Sequence, residues 1–279
     1  MHESRLPTLF IPHGGGPCFF MESNPPGIWD RMGDWLGDVI PLVGPRPKAV
    51  LVISGHWEAP AFTVNARPQH ELYFDYYNFP EHTYRLTWPA KGDPALAARV
   101  RELLAVAGLP NDEDTSRGLD HGVFVPFKLI DPEAEIPIVQ LSLKVGLDPA
   151  EHIAAGRALA PLRDEGVLIV GSGMSFHNMQ RFRRDNATLD PDSTAFDTWL
   201  GQAVALPQTE RERALANWAD APSGRVSHPR EEHLIPLHVV AGAAGDGPGE
   251  AVFRDKVLGS TQSAFMFGGQ STTGQNTPQ

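Results

Sequence analysis

Residues 49–57 read AVLVISGHW, and the pattern of this stretch decides the fold class. An apolar run this short, with no polar alternation, predicts a strand buried on both faces, as in a sheet covered by helices on each side. The run breaks at Ser54-Gly55, placing His56 just past its end. In open α/β sheets that carboxyl edge is where ligands bind, because the loops leaving it line a crevice while the strands fix their roots. The arrangement recurs twice. Leu9-Phe10-Ile11 leads into Pro12-His13-Gly14-Gly15-Gly16-Pro17, and Val167 to Val170 leads into Gly-Ser-Gly-Met-Ser-Phe-His177-Asn178. Three apolar runs each deliver one histidine beyond a strand end.

Between these runs the chain alternates strand and helix. Ile28 to Leu36 has amphipathic helical spacing, ending before Pro41; Phe62 to Asn65 reads as a strand. Asp93-Pro94 opens a helix through Val106, with Gly108 and Pro110 as stop signals. Val123 to Ile130 packs as strand or helix. Ile136 to Leu143 is a strand, and Pro149 to Arg163 is a helix. Asp197 to Val204 and Glu210 to Trp218 read as helical. A last helix starts at Pro229, with Glu231 and Glu232 in its first turn, and runs to Gly242; Ala264 to Phe267 is a final strand. The order predicts an α/β fold: one three-layer domain over 1–269, with a mostly parallel central sheet and helices on both faces. Residues 270–279, rich in Gly, Ser, Thr and Gln, read as a flexible tail.

Composition narrows the function. A net charge of −11 without a large Lys/Arg cluster argues against nucleic acid. No apolar stretch approaches the ~20 residues a membrane span needs. The N-terminus lacks a signal peptide's regions, so a cytoplasmic protein is expected. The single cysteine, Cys18, excludes an intrachain disulfide or a thiolate zinc cluster and reads as a packing residue. A metal would therefore rest on imidazole and carboxylate.

Of eleven histidines, His70, His152 and His238, with His2, read as surface or locally bonded. His13, His56 and His177 form the constellation of interest, since neutral imidazole is a common ligand for zinc and iron. The HGGG letters also occur in esterase oxyanion holes, but Ser172 lacks the leading glycine of a nucleophile elbow. A third ligand could come from Glu232 or His233. On a helix only one of two adjacent residues faces a given ion. His233 shares a face with Leu237 and Val240, whereas the two-histidine, one-carboxylate habit of iron(II) sites points to Glu232.

These residues resemble the class III extradiol ring-cleaving dioxygenases of the DOPA 4,5-dioxygenase type, in the protocatechuate 4,5-dioxygenase superfamily. The matching segments are PHGGGP at 12–17, SGHWE at 54–58, FPEHTYRLTWPAKGDP at 79–94, LDHGVFVPF at 119–127, IPIVQLSL at 136–143, VGSGMSFHN at 170–178 and HPREEHLIPL at 228–237. They span nearly the whole chain in the expected order. The resemblance implies one non-haem metal at the carboxyl edge of the sheet, with His13, His56 and His233 as ligands. It implies His177 as the proton-transfer base or an additional ligand, and His121 as a second active-site histidine. His82 stands where the family commonly has a second acid.

The expected activity is opening of a catechol ring with dioxygen at Fe(II), with Zn(II) a possible occupant of the same site. Tyr76, Tyr77, Phe79 and His82 are expected to contact the small aromatic diol. A zinc-dependent hydrolase on the same histidines is the alternative. A monomer or homodimer is expected.

Overall fold

The Ala49 run lies at the centre of an eight-stranded sheet, flanked by parallel neighbours on both sides. The computed structural model describes residues 5–183 and 186–269; the proposed tail at 270–279 and His2 lie outside them. The strands are β1 (Thr8–Pro12), β2 (Ala49–Ala59), β3 (Phe62–Asn65), β4 (Asn111–Asp114), β5 (Ile138–Lys144), β6 (Val167–Gly173), β7 (Gly249–Val257) and β8 (Ser260–Phe267). Their order is β4-β3-β5-β2-β6-β1-β8-β7. β5, β2, β6 and β1 run parallel; β8 joins β1 antiparallel, and β7 closes that edge as a hairpin with β8.

Alternation along β2 explains its uniformly apolar sequence. Leu51 and Ile53 pack into one core layer, Val50 and Val52 into the other, and all are buried. The helices follow as α1 (Asp30–Gly37), α2 (Val39–Leu42), α3 (Pro94–Val106), α4 (His121–Ile130), α5 (Pro149–Leu159), α6 (Pro191–Val204), α7 (Gln208–Ala216), α8 (Gly224–Ser227) and α9 (Ile235–Ala244). α3, α5, α6 and α9 contribute to the Leu51 side; α1 and α4 contribute to the Val50 side. The result is the three-layer α/β domain expected. Among the described residues no helix is long and apolar enough to cross a membrane.

Three helices start alike. Asp93, Asp148 and Asp190 each accept a first-turn N–H, from Leu96, Glu151 and Asp192, with proline following directly. The third start places α6 six residues before the expected Asp197. Val123 to Ile130 belongs to helix α4, and the β7 strand and β4 were not anticipated. β4 reads Asn-Asp-Glu-Asp, a polar edge that carries no apolar signal.

Two further differences bear on function. β2 does not stop at Ser54; it continues to Ala59 through a register shift between Ile53 and Glu58, so His56 sits inside an irregular strand. The last helix does not start at Pro229. Residues 229–234 form turns and α9 begins at Ile235. Pro236 favours this start: proline sits without cost in the first turn, whereas deeper in a helix it loses a hydrogen bond and crowds the carbonyl four residues earlier. The helical-face argument about Glu232 and His233 therefore does not apply.

His70, His152 and His238 are buried, and of the two readings, surface or locally bonded, His152 and His238 follow the second through the carbonyls of Asp148 and Leu234, while His70 meets the distant Ile138 carbonyl. His152 donates from Nδ1 to the Asp148 carbonyl and accepts the Lys144 N–H at Nε2 (2.7 and 3.1 Å), a neutral ring with both nitrogens satisfied. Burial pushes its pKa down to about 4. The unfolded chain titrates near 6.5, so it binds the extra proton first as pH falls. Stability from this ring is complete above pH 6.5 and declines toward pH 4. Urea unfolding at pH 7.5 and 5 should therefore show a loss that is smaller in His152→Gln, by on the order of 2 kcal/mol.

α5 and α9 cross with glycines at the contact. A Cβ on Gly156 would strike the Val239 carbonyl, and one on Gly242 the Ile153 carbonyl. Gly242→Ala should destabilise the protein by ~1–3 kcal/mol by forcing the helices apart, despite the better helix propensity of alanine. Chemical denaturation measures it directly.

Candidate metal centre

The carboxyl edge of the parallel strands gathers five histidines. His13 directly follows β1, and its N–H donates to the Gly173 carbonyl at the end of β6 (3.1 Å). One residue on, just past β6, the Met174 N–H donates to the His233 carbonyl (3.1 Å), so the end of β6 fixes both segments. Main chain approaches main chain here: a Cβ on Gly55 would lie 2.9 Å from the Glu232 carbonyl, and one on Gly173 would strike the His233 carbonyl. His121 starts α4, and the His177 N–H donates to Ser227 (3.0 Å).

His56 Nε2 lies 3.1 Å from His13 Nε2 and 3.2 Å from His233 Nε2. One nitrogen from each of His13, His56 and His121 falls within a 4.8 Å cluster, and so does one ligand atom from each of His177, Glu232 and His233. The His177 and His233 rings stack at 3.5 Å, and the His56 and His121 centroids are 3.9 Å apart. The sequence-singled histidines 13, 56, 121, 177 and 233 are thus all brought together.

Glu232 is brought in as well, but as a partner of imidazoles. Its Oε1 lies 2.8 Å from His233 Nδ1 and 3.5 Å from His177 Nδ1. Burial disfavours its charge, yet these two imidazole contacts outweigh burial and hold the carboxyl well below its usual range. Arg230 lies 3.4 Å from its other side and bonds Glu58 of β2 at 2.7 Å. On the opposite flank, Asp75 Oδ1 accepts from both the backbone N–H and Nδ1 of His121 (2.9 and 2.8 Å). Beneath them the buried Asp120 accepts from Ser54 Oγ (2.7 Å) and Gln140 Nε2. Asp75 carried no sequence signal, and Ser54, Gln140 and Asp120 stood inside the matching segments without being singled out as site residues.

Burial, then the neighbouring imidazoles, pushes His13 well below its usual pKa. His56 is displaced the same way, and His233 is pushed down to about 4. These rings are neutral at pH 7. Donating Nδ1–H to Glu232 leaves a lone pair on His233 Nε2. His13 Nδ1 lies 3.3 Å from Ser172 Oγ, whose own proton goes to the Gly122 carbonyl; His13 therefore also presents Nε2 as a lone pair. Two lone pairs thus flank His56 Nε2, which can carry at most one proton. The donor set fits a cation: nitrogens held at 2.0–2.1 Å by one tetrahedral ion stand about 3.3 Å apart, close to the spacings seen.

The aromatic loop covers one side. Tyr76 is buried, its ring edge-on to His121 at 5.8 Å, and its hydroxyl donates to the Thr83 carbonyl (2.7 Å). Phe79 packs on Tyr76 and over Gly16, whose φ of +56° and closeness to that ring leave no room for a side chain. Tyr77 is 79% exposed. His82 is exposed, and its Nε2 lies 3.0 Å from the Phe20 carbonyl. Among the described residues neither contacts the histidine rings. Cys18 is buried beside the HGGG loop and receives the Gly15 N–H (3.3 Å); burial pushes its thiol up to about 12.

Known proteins match this chain over most of its length. Residues 8–266 match the family described as the catalytic LigB subunit of aromatic ring-opening dioxygenase. The chain is 39% identical over 240 residues to the 4,5-DOPA dioxygenase extradiol of Beta vulgaris, covering 86% of this chain and 87% of that one. It is 34% identical over 244 residues to the 4,5-DOPA dioxygenase extradiol of Escherichia coli K12, covering 87% of each. The crystal structure of an uncharacterized protein from Escherichia coli K12 superposes with a TM-score of 0.76 at 30% identity, covering 95% of this chain and all of that one. By a match running almost from end to end, the chain belongs to the family of the catalytic LigB subunit of aromatic ring-opening dioxygenases.

Proposed function

We propose that this protein opens the ring of a catechol by extradiol cleavage, using dioxygen and a single Fe(II) held by His13, His56 and His233. The observation that carries the reading is the meeting of three neutral imidazoles from remote segments, with Nε2 spacings of 3.1 and 3.2 Å around His56. Fe(II) would supply a Lewis acid and an electron donor where catecholate and dioxygen meet; Zn(II) suits the same nitrogens but has no redox chemistry.

The chain's own groups supply orientation and proton transfer. His177, with Nδ1 facing Glu232, offers Nε2 to take the proton of a catechol hydroxyl and later return it to a developing oxygen anion. His121 stands across the cluster with Nδ1 held by Asp75, so its free Nε2 serves as the second proton site. Tyr76 presents ring and not hydroxyl, because the Thr83 carbonyl holds the latter away. With Phe79 it walls the substrate ring and excludes water. Tyr77 and His82 belong to the rim, where His82 latches the aromatic loop to Phe20. The overall reaction places both atoms of dioxygen in one ring-opened product, a carboxylate and an aldehyde from one broken carbon–carbon bond.

Fe(II)-reconstituted protein under air should consume one dioxygen per catechol and form a yellow product, followed with an oxygen electrode and absorbance across a catechol panel. Turnover that persists without oxygen would instead support a zinc hydrolase. His177→Ala should retain one equivalent of metal while kcat falls ~10²–10⁴-fold; His233→Ala should lose the metal itself, as read by elemental analysis.

A further inference from the structure

We infer that Asp75 is a positioning residue of this centre: a single carboxylate that orients both His121 and His56 and so joins the aromatic loop to the imidazole cluster. The inference rests on the reading of His56 as a ligand and His121 as a second active-site histidine.

The Asp75 carboxylate, only 12% exposed, spends its oxygens on different rings. Oδ1 accepts both donors of His121, the backbone N–H and Nδ1–H, at 2.9 and 2.8 Å. The first of these does the work of a helix cap. Asp120, at the N-cap of α4, makes no side-chain capping bond, since its oxygens serve Ser54 and Gln140; Asp75 takes a first-turn donor that would otherwise lack a partner. The second fixes the ring with its proton on Nδ1 and a lone pair on Nε2.

Oδ2 lies 3.8 Å from His56 Nδ1. That is beyond a hydrogen bond, but a negative charge facing this edge of a half-buried ring favours the proton there. The lone pair then falls on His56 Nε2, the atom nearest both His13 and His233. A carboxylate hydrogen-bonded to a ligand histidine raises its basicity and fixes its orientation; at 3.8 Å Asp75 acts on His56 through its charge alone.

Asp75 also lies next to Tyr76 in the aromatic loop. The loop backbone is attached independently: the Tyr73 N–H donates to Leu119 (2.7 Å), and the Leu119 N–H to Glu71 (2.9 Å). Removing the carboxylate therefore leaves the loop its main-chain anchors, which separates orientation from folding.

The test uses full-length protein loaded with diamagnetic Zn(II) and labelled with 15N-histidine. Long-range proton–nitrogen spectra report each ring's tautomer, and chelator competition reports metal affinity. In the wild type, His56 and His121 should both carry the proton on Nδ1. Asp75→Ala should disturb the His121 tautomer and weaken metal binding ~10–100-fold. Asp75→Asn keeps an oxygen for His121 but loses the charge facing His56; it should restore the His121 tautomer and leave metal binding weak. Unchanged tautomers with affinity within about twofold in Asp75→Ala would overturn the inference. If that variant fails to fold, wild-type affinity in Asp75→Asn overturns it instead. None of these readouts needs substrate. A wild type that binds metal but opens no catechol defeats the proposed reaction and leaves this inference standing, whereas a wild type that binds no metal defeats both.

Discussion

Imidazole lone pairs crowded together out of water are the constraint on which this architecture depends. Uncompensated, they repel one another and have lost the water that would hydrogen-bond them. Protonation does not relieve the problem, because burial and the neighbouring rings disfavour charge on His13, His56 and His233 alike. A cation between the rings does. The outward-facing Nδ1 atoms are served by fixed partners, Glu232 for His233 and Asp75 for His121, so the inward-facing nitrogens are left free by design of the hydrogen-bond network.

Such a cluster needs rigid roots. Parallel strands supply them, because every strand in the β5-β2-β6-β1 block ends at the same edge, and side chains just beyond those ends converge. The sheet does more than point. β6 donates and accepts main-chain hydrogen bonds that hold the segments carrying His13 and His233, while the irregular end of β2 turns His56 between them.

Much of this was legible in the sequence, for identifiable reasons. A strand buried on both faces must be apolar throughout, so β1, β2 and β6 declared themselves, and with them the histidines at their ends. The Asp93-Pro94 start declared α3 because side-chain capping and the proline φ are local effects, whereas the same signal at Asp190-Pro191 was passed over and α6 was expected six residues late. What escaped depends on tertiary contacts. β4 is polar, and β7 alternates between exposed and buried positions at an edge; neither has the uninterrupted apolar signature of the interior strands. The choice between Glu232 and His233 was posed on a helix that begins only at Ile235, after both residues. Off the helix, the two neighbours cooperate: one carboxylate holds the ring of the next residue. Asp75 is 46 positions from His121, and no local rule connects them.

The glycines at 55 and 173 give the site an unusual kind of exactness. Where side chains pack against side chains, rotamers can shift and spread an error over many atoms. At these two places carbonyls of the 232–233 segment sit against bare α-carbons, so the gap between strand and loop is a van der Waals stop with no adjustable part. The interior of this protein can drift through many apolar exchanges without altering the distance between its histidines. A lone methyl at either glycine would pry His233 from His56, so the spacing of these rings is set by backbone against backbone along this seam and not by the packing of the hydrophobic layers.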